Sequence, residues 1–262
     1  MKIFVATFSR SSDGALSKLI SKMKDADIYT DDYDECDIVL VPGDREETFD
    51  FALKSYRHNK RIIHLWAGEA NTWETHDDVY RHAITLMSDI QLCANDIAKR
   101  RVKALCKSVG KIYDVATVGN IFLDNMDDID ESLVPKVPYD LILYNPPSRL
   151  SSEEIKAECE EICDIRFKNS LWLEPNGDKG SDIVRDYINL HTIPRPKFLG
   201  LLKNCGRFIT NSSCQYYEAP FLLEPEQIIP IGKRNRNRDS KNADVKIKGA
   251  SDKIMRLLEN LI

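Results

Sequence analysis

The sequence predicts an α/β protein made of two Rossmann-like lobes, each a doubly wound parallel sheet, facing one another across an interlobe cleft. Three observations predict it. Short apolar, β-branched runs alternate with amphipathic segments of helical length through residues 1–125; the rhythm breaks over 126–138; and a second alternating series starts at Tyr139. Near-continuous apolar strands imply a sheet covered on both faces, and right-handed crossovers make parallel order the default.

The elements follow in order. In the first lobe, 1–125, strands are expected at 2–8, 37–42, 61–65, 90–94 and 114–118, with helices at 14–23, 46–57, 75–87 and 96–109. The linker, 126–138, carries Asp127, Asp128, Asp130 and Glu131, then Pro135 and Pro138, a composition that resists regular structure. In the second lobe, 139–262, a strand at 139–144 leads into a helix at 151–163, whose Ser151-Ser152-Glu153-Glu154 start fits a capping box. Further elements are expected at 181–189 and 197–205, strands at 207–210 and 227–231, and a closing helix at 252–261. Ligands of such sheets bind beyond the carboxyl ends of the strands, which directs attention to the loops found there.

Composition narrows the function classes. With 37 Lys and Arg against 42 Asp and Glu in 262 residues the formal charge is −5, which excludes a global polycation. At 42% hydrophobic and 30% charged the chain reads as folded. No apolar run is long enough for a spanning helix, and the start is too short and too poor in basic residues for a secretory signal, so a soluble cytoplasmic protein is expected. Seven cysteines, an odd number, argue for free thiols. Cys159 and Cys163 lie four apart, but nothing completes a tetrahedral set, and no metal site is expected.

The chemistry-bearing loops come next. Pro42-Gly43-Asp44-Arg45 and His64-Leu65-Trp66-Ala67-Gly68-Glu69 each follow a strand. Asp44 could act as a general base or cap the next helix. In the helix after Glu69, Asp77 and Arg81 sit at i, i+4, with Asp78 and His82 beside them; a solvated ion-pair face is the alternative. In the second lobe, Thr210-Asn211-Ser212-Ser213-Cys214 runs from a strand into a helix expected to contain Glu218. Small hydroxyl residues at a helix start suit a diphosphate, and Glu218 could hold a ribose diol. Simple capping by Ser212 or Ser213 is the competing reading.

Taken in order, Gly43-Asp44-Arg45, the segment 64–69, Asp77-Asp78 with Arg81-His82-Ala83-Ile84, Val118-Gly119-Asn120, and Asn211-Ser212-Ser213-Cys214 with Glu218 resemble the UDP-N-acetylglucosamine 2-epimerase family, especially its hydrolysing branch. The resemblance implies the GT-B fold, a UDP-sugar substrate, no required cofactor, and pairing into homodimers. It implies that Ser212, Ser213 and Glu218 hold the diphosphate and ribose, that Arg10 reaches the phosphates, and that Arg234 and Arg238 match the arginines after the Ile229-Pro230-Ile231-Gly232 turn. Glu69 and Asn145 join the substrate-binding set.

Two positions depart from that pattern. Trp66 stands where the family carries Glu or His, and Asn145-Pro146 stands where it carries His-Pro. Neither Trp nor Asn can exchange a proton near neutrality, and losing one positioned acid or base typically costs about 10²–10⁴ in rate. Trp66 then reads as a stacking platform or a core residue.

The sequence therefore favours a GT-B glycosyltransferase that moves sugar from UDP to a hydroxyl acceptor, with catalytic candidates Asp44, Asp77, Asp78 and Arg81. A hydrolysing 2-epimerase and an inactive nucleotide-sugar binder are the alternatives. Segment 233–248, with seven basic and two acidic residues, fits a phosphate backbone, so a hydroxymethylated base in phage DNA is one acceptor the sequence suggests. A solvated loop is the other reading of that segment.

Overall fold

A computed structural model describes residues 1–70, 76–232, 234, 235, 238 and 245–261, with the side chains of Arg10 and Ser11 outside the description. The chain divides into two compact units, one formed by Met1–Ala70, Asp77–Asn125 and Arg238–Ile262, the other by Asn71–His76 and Met126–Asn237.

The first unit holds a five-stranded parallel sheet of β1 (Ile3–Val5), β2 (Ile38–Pro42), β3 (Arg61–Leu65), β4 (Ile90–Cys93) and β5 (Asp114–Thr117), in that spatial order. A parallel bridge from Ile3 to Tyr29 adds a vestigial strand on the far side of β1. The chain thus starts at β1, steps outward to Tyr29, then returns to β2. That reversal is a topological switch point, and it places the loops after β1 and β2 at the ligand-binding edge. Helices α1 (Arg10–Asp25), α2 (Glu46–Arg57), α3 (Asp77–Met87) and α4 (Asp96–Ser108) supply the crossovers. All five residues of β2 are buried: Val39 and Val41 pack with Ala52 of α2 and Ile84 of α3, and by alternation Ile38 and Leu40 point to the opposite face. Helix α1 starts four residues earlier than its apolar periodicity indicates, because Ser9 and Ser12 close a capping box.

The second unit carries β6 (Asp140–Leu143), β7 (Ser170–Trp172), β8 (Arg207–Thr210) and β9 (Ile228–Pro230), all parallel, in the order β7-β6-β8-β9. Here the winding reverses between β6 and β8. Leu141 and Phe208 face one core with Leu201 and Leu202; Ile142 and Ile209 face the other with Trp172, Ile155 and Ile162. Leu201 and Leu202 lie on α7 (Arg195–Asn204), Ile155 and Ile162 on α5 (Ser152–Ile165), so one helix covers each face. The capping box at α5 forms as expected: Ser151 Oγ accepts from the Glu154 amide at 3.2 Å, and Glu154 Oε2 accepts from the Ser151 amide at 2.8 Å.

Two local expectations are corrected and one strand is added. The span 181–189 contains only a single turn, α6 (Ser181–Val184). Edge strand β7, three residues long, is too short to show a period in the sequence. The helix after β8, α8 (Cys214–Tyr217), stops before Glu218, which is its C-cap at φ −131°.

The closing helix α9 (Ala250–Glu259) belongs to the first unit, not to the second lobe in which the sequence places it. Its cap, Gly249, has no side chain to offer, and Asp124 substitutes: its Oδ2 accepts from the Ser251 amide at 2.6 Å and its Oδ1 from the Gly249 amide at 3.1 Å. A Lys22–Asp252 ion pair ties α9 to α1. Sequence distance conceals such a contact, since capping signals are read locally. Among the described residues no helix is long and apolar enough to cross a membrane.

Candidate active site

Beyond β2 and β3 the first unit gathers a network of buried charge. Asp44 does not cap α2. The cap is Arg45, which makes no capping side-chain bond, while the Asp44 carboxylate pairs with the Arg81 guanidinium. Arg81 is nearly inaccessible at 3% side-chain exposure, whereas Asp44 keeps 21%. The same guanidinium reaches Asp78 Oδ1 at 3.4 Å and donates to the Glu69 carbonyl at 3.0 Å. One helix residue therefore holds two carboxylates and the loop after β3. Asp77 opens α3 and lies near the Tyr80 phenol.

Glu69 is buried at 2% exposure. Its Oε1 accepts from Asn95 Nδ2 at 2.7 Å, and its Oε2 lies 3.8 Å from Arg238 Nε. Asn95 serves twice, since its Oδ1 also caps α4 by accepting from the Ala98 amide at 2.9 Å. Trp66 adopts φ +62°, unusual for a bulky residue, and stacks on Phe122 at 5.2 Å and 8° between planes. Gly68 is dictated by contact: a Cβ there would lie 2.3 Å from the Ala98 carbonyl oxygen.

His64 is fully buried on β3. Its Nε2 lies 2.8 Å from the Gly43 carbonyl and its Nδ1 3.1 Å from Thr85 Oγ1. A carbonyl can only accept, so Nε2 carries the proton and Nδ1 receives the Thr85 hydroxyl. Burial pushes the imidazole down from 6.5 to about 4, against the opposing pull of the Gly43 hydrogen bond. Below 6.5 the unfolded imidazole takes up a proton that the folded one refuses until about 4, so acid favours the unfolded chain. Falling pH through that window should therefore remove roughly 3 kcal/mol of stability through this group. Urea denaturation at pH 7.5 and 4.5 checks it: the loss should be smaller by that amount in His64→Phe than in the wild type.

In the second unit the switch-point loops after β6 and β8 are laced together. The Asn211 side chain accepts from the Asn145 amide at 2.8 Å and donates to the Asn145 carbonyl at 2.7 Å. Asn145 Oδ1 accepts from the Asn176 amide at 2.9 Å, and Asn235 Nδ2 donates to the Asn211 carbonyl at 2.6 Å. Arg234 donates to the Asn145 carbonyl at 3.3 Å and lies 3.8 Å from Asp178. Asn145 is thus a structural peg on the rim of this site. Ser212 Oγ accepts from the Cys214 amide at 3.3 Å, whereas Ser213, the residue before α8, forms no capping bond with its side chain. Glu218, 4% exposed, pairs with Arg195 at the start of α7. Burial first and the Glu218 charge second hold the Cys214 thiol well above its ordinary value, which leaves it a packing residue.

With this geometry in place, comparison with known proteins is decisive. The family model described as UDP-N-acetylglucosamine 2-epimerase matches residues 5–262. The chain belongs to that family. It is 29% identical over 226 residues to the polysialic acid biosynthesis protein P7 of Escherichia coli, covering 77% of this chain and 56% of that one. It is 26% identical over 224 residues to the GDP/UDP-N,N'-diacetylbacillosamine 2-epimerase (hydrolyzing) of Campylobacter jejuni, covering 77% and 58%. The chain thus spans less than two thirds of the length of these curated relatives. In fold it resembles the crystal structure of UDP-GlcNAc 2-epimerase from Neisseria meningitidis bound to UDP-GlcNAc, with a TM-score of 0.69 at 12% identity over 99% of this chain and 92% of that one. The α/β fold of parallel sheets in two units is the GT-B-like fold of such epimerases.

The match overturns the expected glycosyltransferase activity, and with it the DNA-modifying role. That expectation leaned on two missing proton-transfer side chains, Trp66 and Asn145. In the structure the Trp66 indole stacks on Phe122, and Asn145 is hydrogen-bonded to Asn211 and Asn176. Segment 233–248 lies largely outside the described residues, as does the Arg10 side chain. Among the described residues no group of His, Cys, Asp or Glu is arranged to hold a metal.

Of the residues singled out from the sequence, the structure brings Asp44, Asp78, Arg81, Glu69 and Arg238 into one network, and Asn145 and Arg234 into another. Two residues were missed, Asn95 and Arg195, and two that stand in the quoted motifs, His64 and Asn211, were given no role. Asn95 was legible as a polar cap after a strand; the roles of His64, Asn211 and Arg195 emerge only with their partners in place.

Proposed function

We propose that the chain is a hydrolysing 2-epimerase of a UDP-linked N-acetylated amino sugar, releasing UDP and the free sugar inverted at C2. The observation that carries it is a family match running through both units together with a carboxylate pair held by a single buried arginine. Inverting C2 requires a C–H bond to break on one face and re-form on the other, and releasing UDP requires water to replace it at C1. Both demands call for positioned acid and base groups. Asp44 and Asp78, aimed by Arg81, are the groups for that work, with Asp77 at the helix start beside them.

The second unit supplies the nucleotide grip. The Ser212 and Ser213 hydroxyls and the Ser213 N–H would take a diphosphate, Arg234 would balance its charge, and Glu218 would hold the ribose diol. Arg238 and Glu69 belong to the carboxylate network of the first unit, and Trp66 would wall it with a flat apolar face. The nucleotide sugar of the Neisseria structure and the hydrolytic label of the Campylobacter relative support this assignment.

UDP release decides the class of reaction. Incubated with UDP-N-acetylglucosamine or UDP-N,N'-diacetylbacillosamine and no acceptor, the protein should liberate UDP continuously, detected by a coupled assay. UDP raising the melting temperature, with no release from either donor, would leave a binder and contradict the proposal.

A further inference from the structure

We infer that His64 is a positioning residue: it fastens the loop bearing Asp44 to the helix bearing Arg81, and so fixes the geometry of that ion pair. This inference rests on the epimerase reading for its catalytic consequence, although its structural content stands separately.

The argument is one of connectivity. Asp44 leaves β2 through Gly43, whose φ of +81° makes a sharp turn of the backbone. The Gly43 amide donates to the Leu65 carbonyl at 2.9 Å, and its carbonyl accepts from His64 Nε2 at 2.8 Å. Both polar groups of that peptide junction are thus spent on β3. On its other side the ring meets Thr85, one helical turn after Arg81 on the same face of α3. A single rigid ring therefore spans the two segments whose side chains meet as Asp44 and Arg81.

The far side is braced as well. Gln91 Nε2 donates to the Thr85 carbonyl at 3.0 Å and to the Ser88 carbonyl at 2.9 Å, which stops the end of α3 from drifting away from the sheet. Trp66 closes the remaining approach, with its ring 3.5 Å from where a Cβ on Gly43 would project. His64 is inaccessible to a substrate and touches no reacting atom. Its effect can only pass through Asp44 and Arg81, and a misplacement of about 1 Å in a catalytic group can cost on the order of 10²-fold in rate.

The test uses His64→Phe, which keeps the ring and removes both hydrogen bonds, and Thr85→Val, which removes only the tie to α3. Turnover by folded His64→Phe should drop at least about tenfold in kcat, with KM for the UDP-sugar and the UDP-induced rise in melting temperature unchanged. Thr85→Val should move kcat in the same direction by less, and Thr85→Ser should restore most of it. Folded His64→Phe with wild-type kcat would overturn the inference, as would a rise in KM with kcat intact.

A second measurement needs no turnover. The melting-temperature losses of Asp44→Ala, which removes the pair altogether, and His64→Phe should be less than additive in the double variant, because the second change acts on a pair already broken. Strict additivity would overturn the inference. A wild type without activity on any UDP-sugar, combined with less-than-additive losses, would sink the epimerase reading and leave the positioning role in place.

Discussion

Replacing Asp44 with Asn should lower the rate of UDP release about 10²–10⁴-fold while leaving the protein folded. The substitution keeps size and hydrogen-bonding shape but removes the ability to take up a proton. Because Asp44 keeps 21% of its side chain exposed, the amide can stay hydrated and Arg81 can still donate to its oxygen. A melting temperature within a few degrees of wild type is therefore expected beside the loss of kcat. Asp78→Asn should cost less, since at 3.4 Å its contact with Arg81 is looser than that of Asp44. Steady-state kinetics on the two variants checks the ranking. Unchanged turnover in Asp44→Asn would remove it from the chemistry.

The largest effect on stability should come from Arg195. Its side chain is 13% exposed and that of Glu218 is 6% exposed, so the pair sits largely out of water. Arg195→Leu leaves a carboxylate buried without its counter-ion, at a cost of about 3–5 kcal/mol. Replacing both residues, Arg195→Leu with Glu218→Gln, removes the stranded charge and should recover much of that loss. Urea denaturation of the single and double variants measures both numbers. Equal destabilisation by the two would show that the guanidinium acts through packing rather than through Glu218.

The central strands of the first sheet were legible because they are buried almost throughout: a run such as Ile38-Val39-Leu40-Val41 has few other uses, and the helix between two such runs reveals itself by its period. The site was legible where a residue announces itself by type and place, as Asp44 does after a strand. It was not legible where long-range partners decide the role. Nothing in the sequence pairs Asp44 with Arg81, Glu218 with Arg195, or Asp124 with the start of α9, and each pairing changed a reading. For Asp44 the ion pair with Arg81 excludes the helix-cap alternative, and Glu218 turns from a helix residue into a buried counter-ion. Trp66 and Asn145 misled most. A change of side chain at a catalytic position suggests new chemistry, whereas the structure shows the indole lying flat on Phe122 and the amide lacing two loops.

Inversion at C2 has a signature that transfer or simple hydrolysis lacks. In heavy water the hydrogen returned to C2 must come from solvent, so proton NMR of the released sugar should show the C2 epimer with deuterium at that carbon. Free sugar of unchanged configuration that retains its original C2 hydrogen would contradict the account.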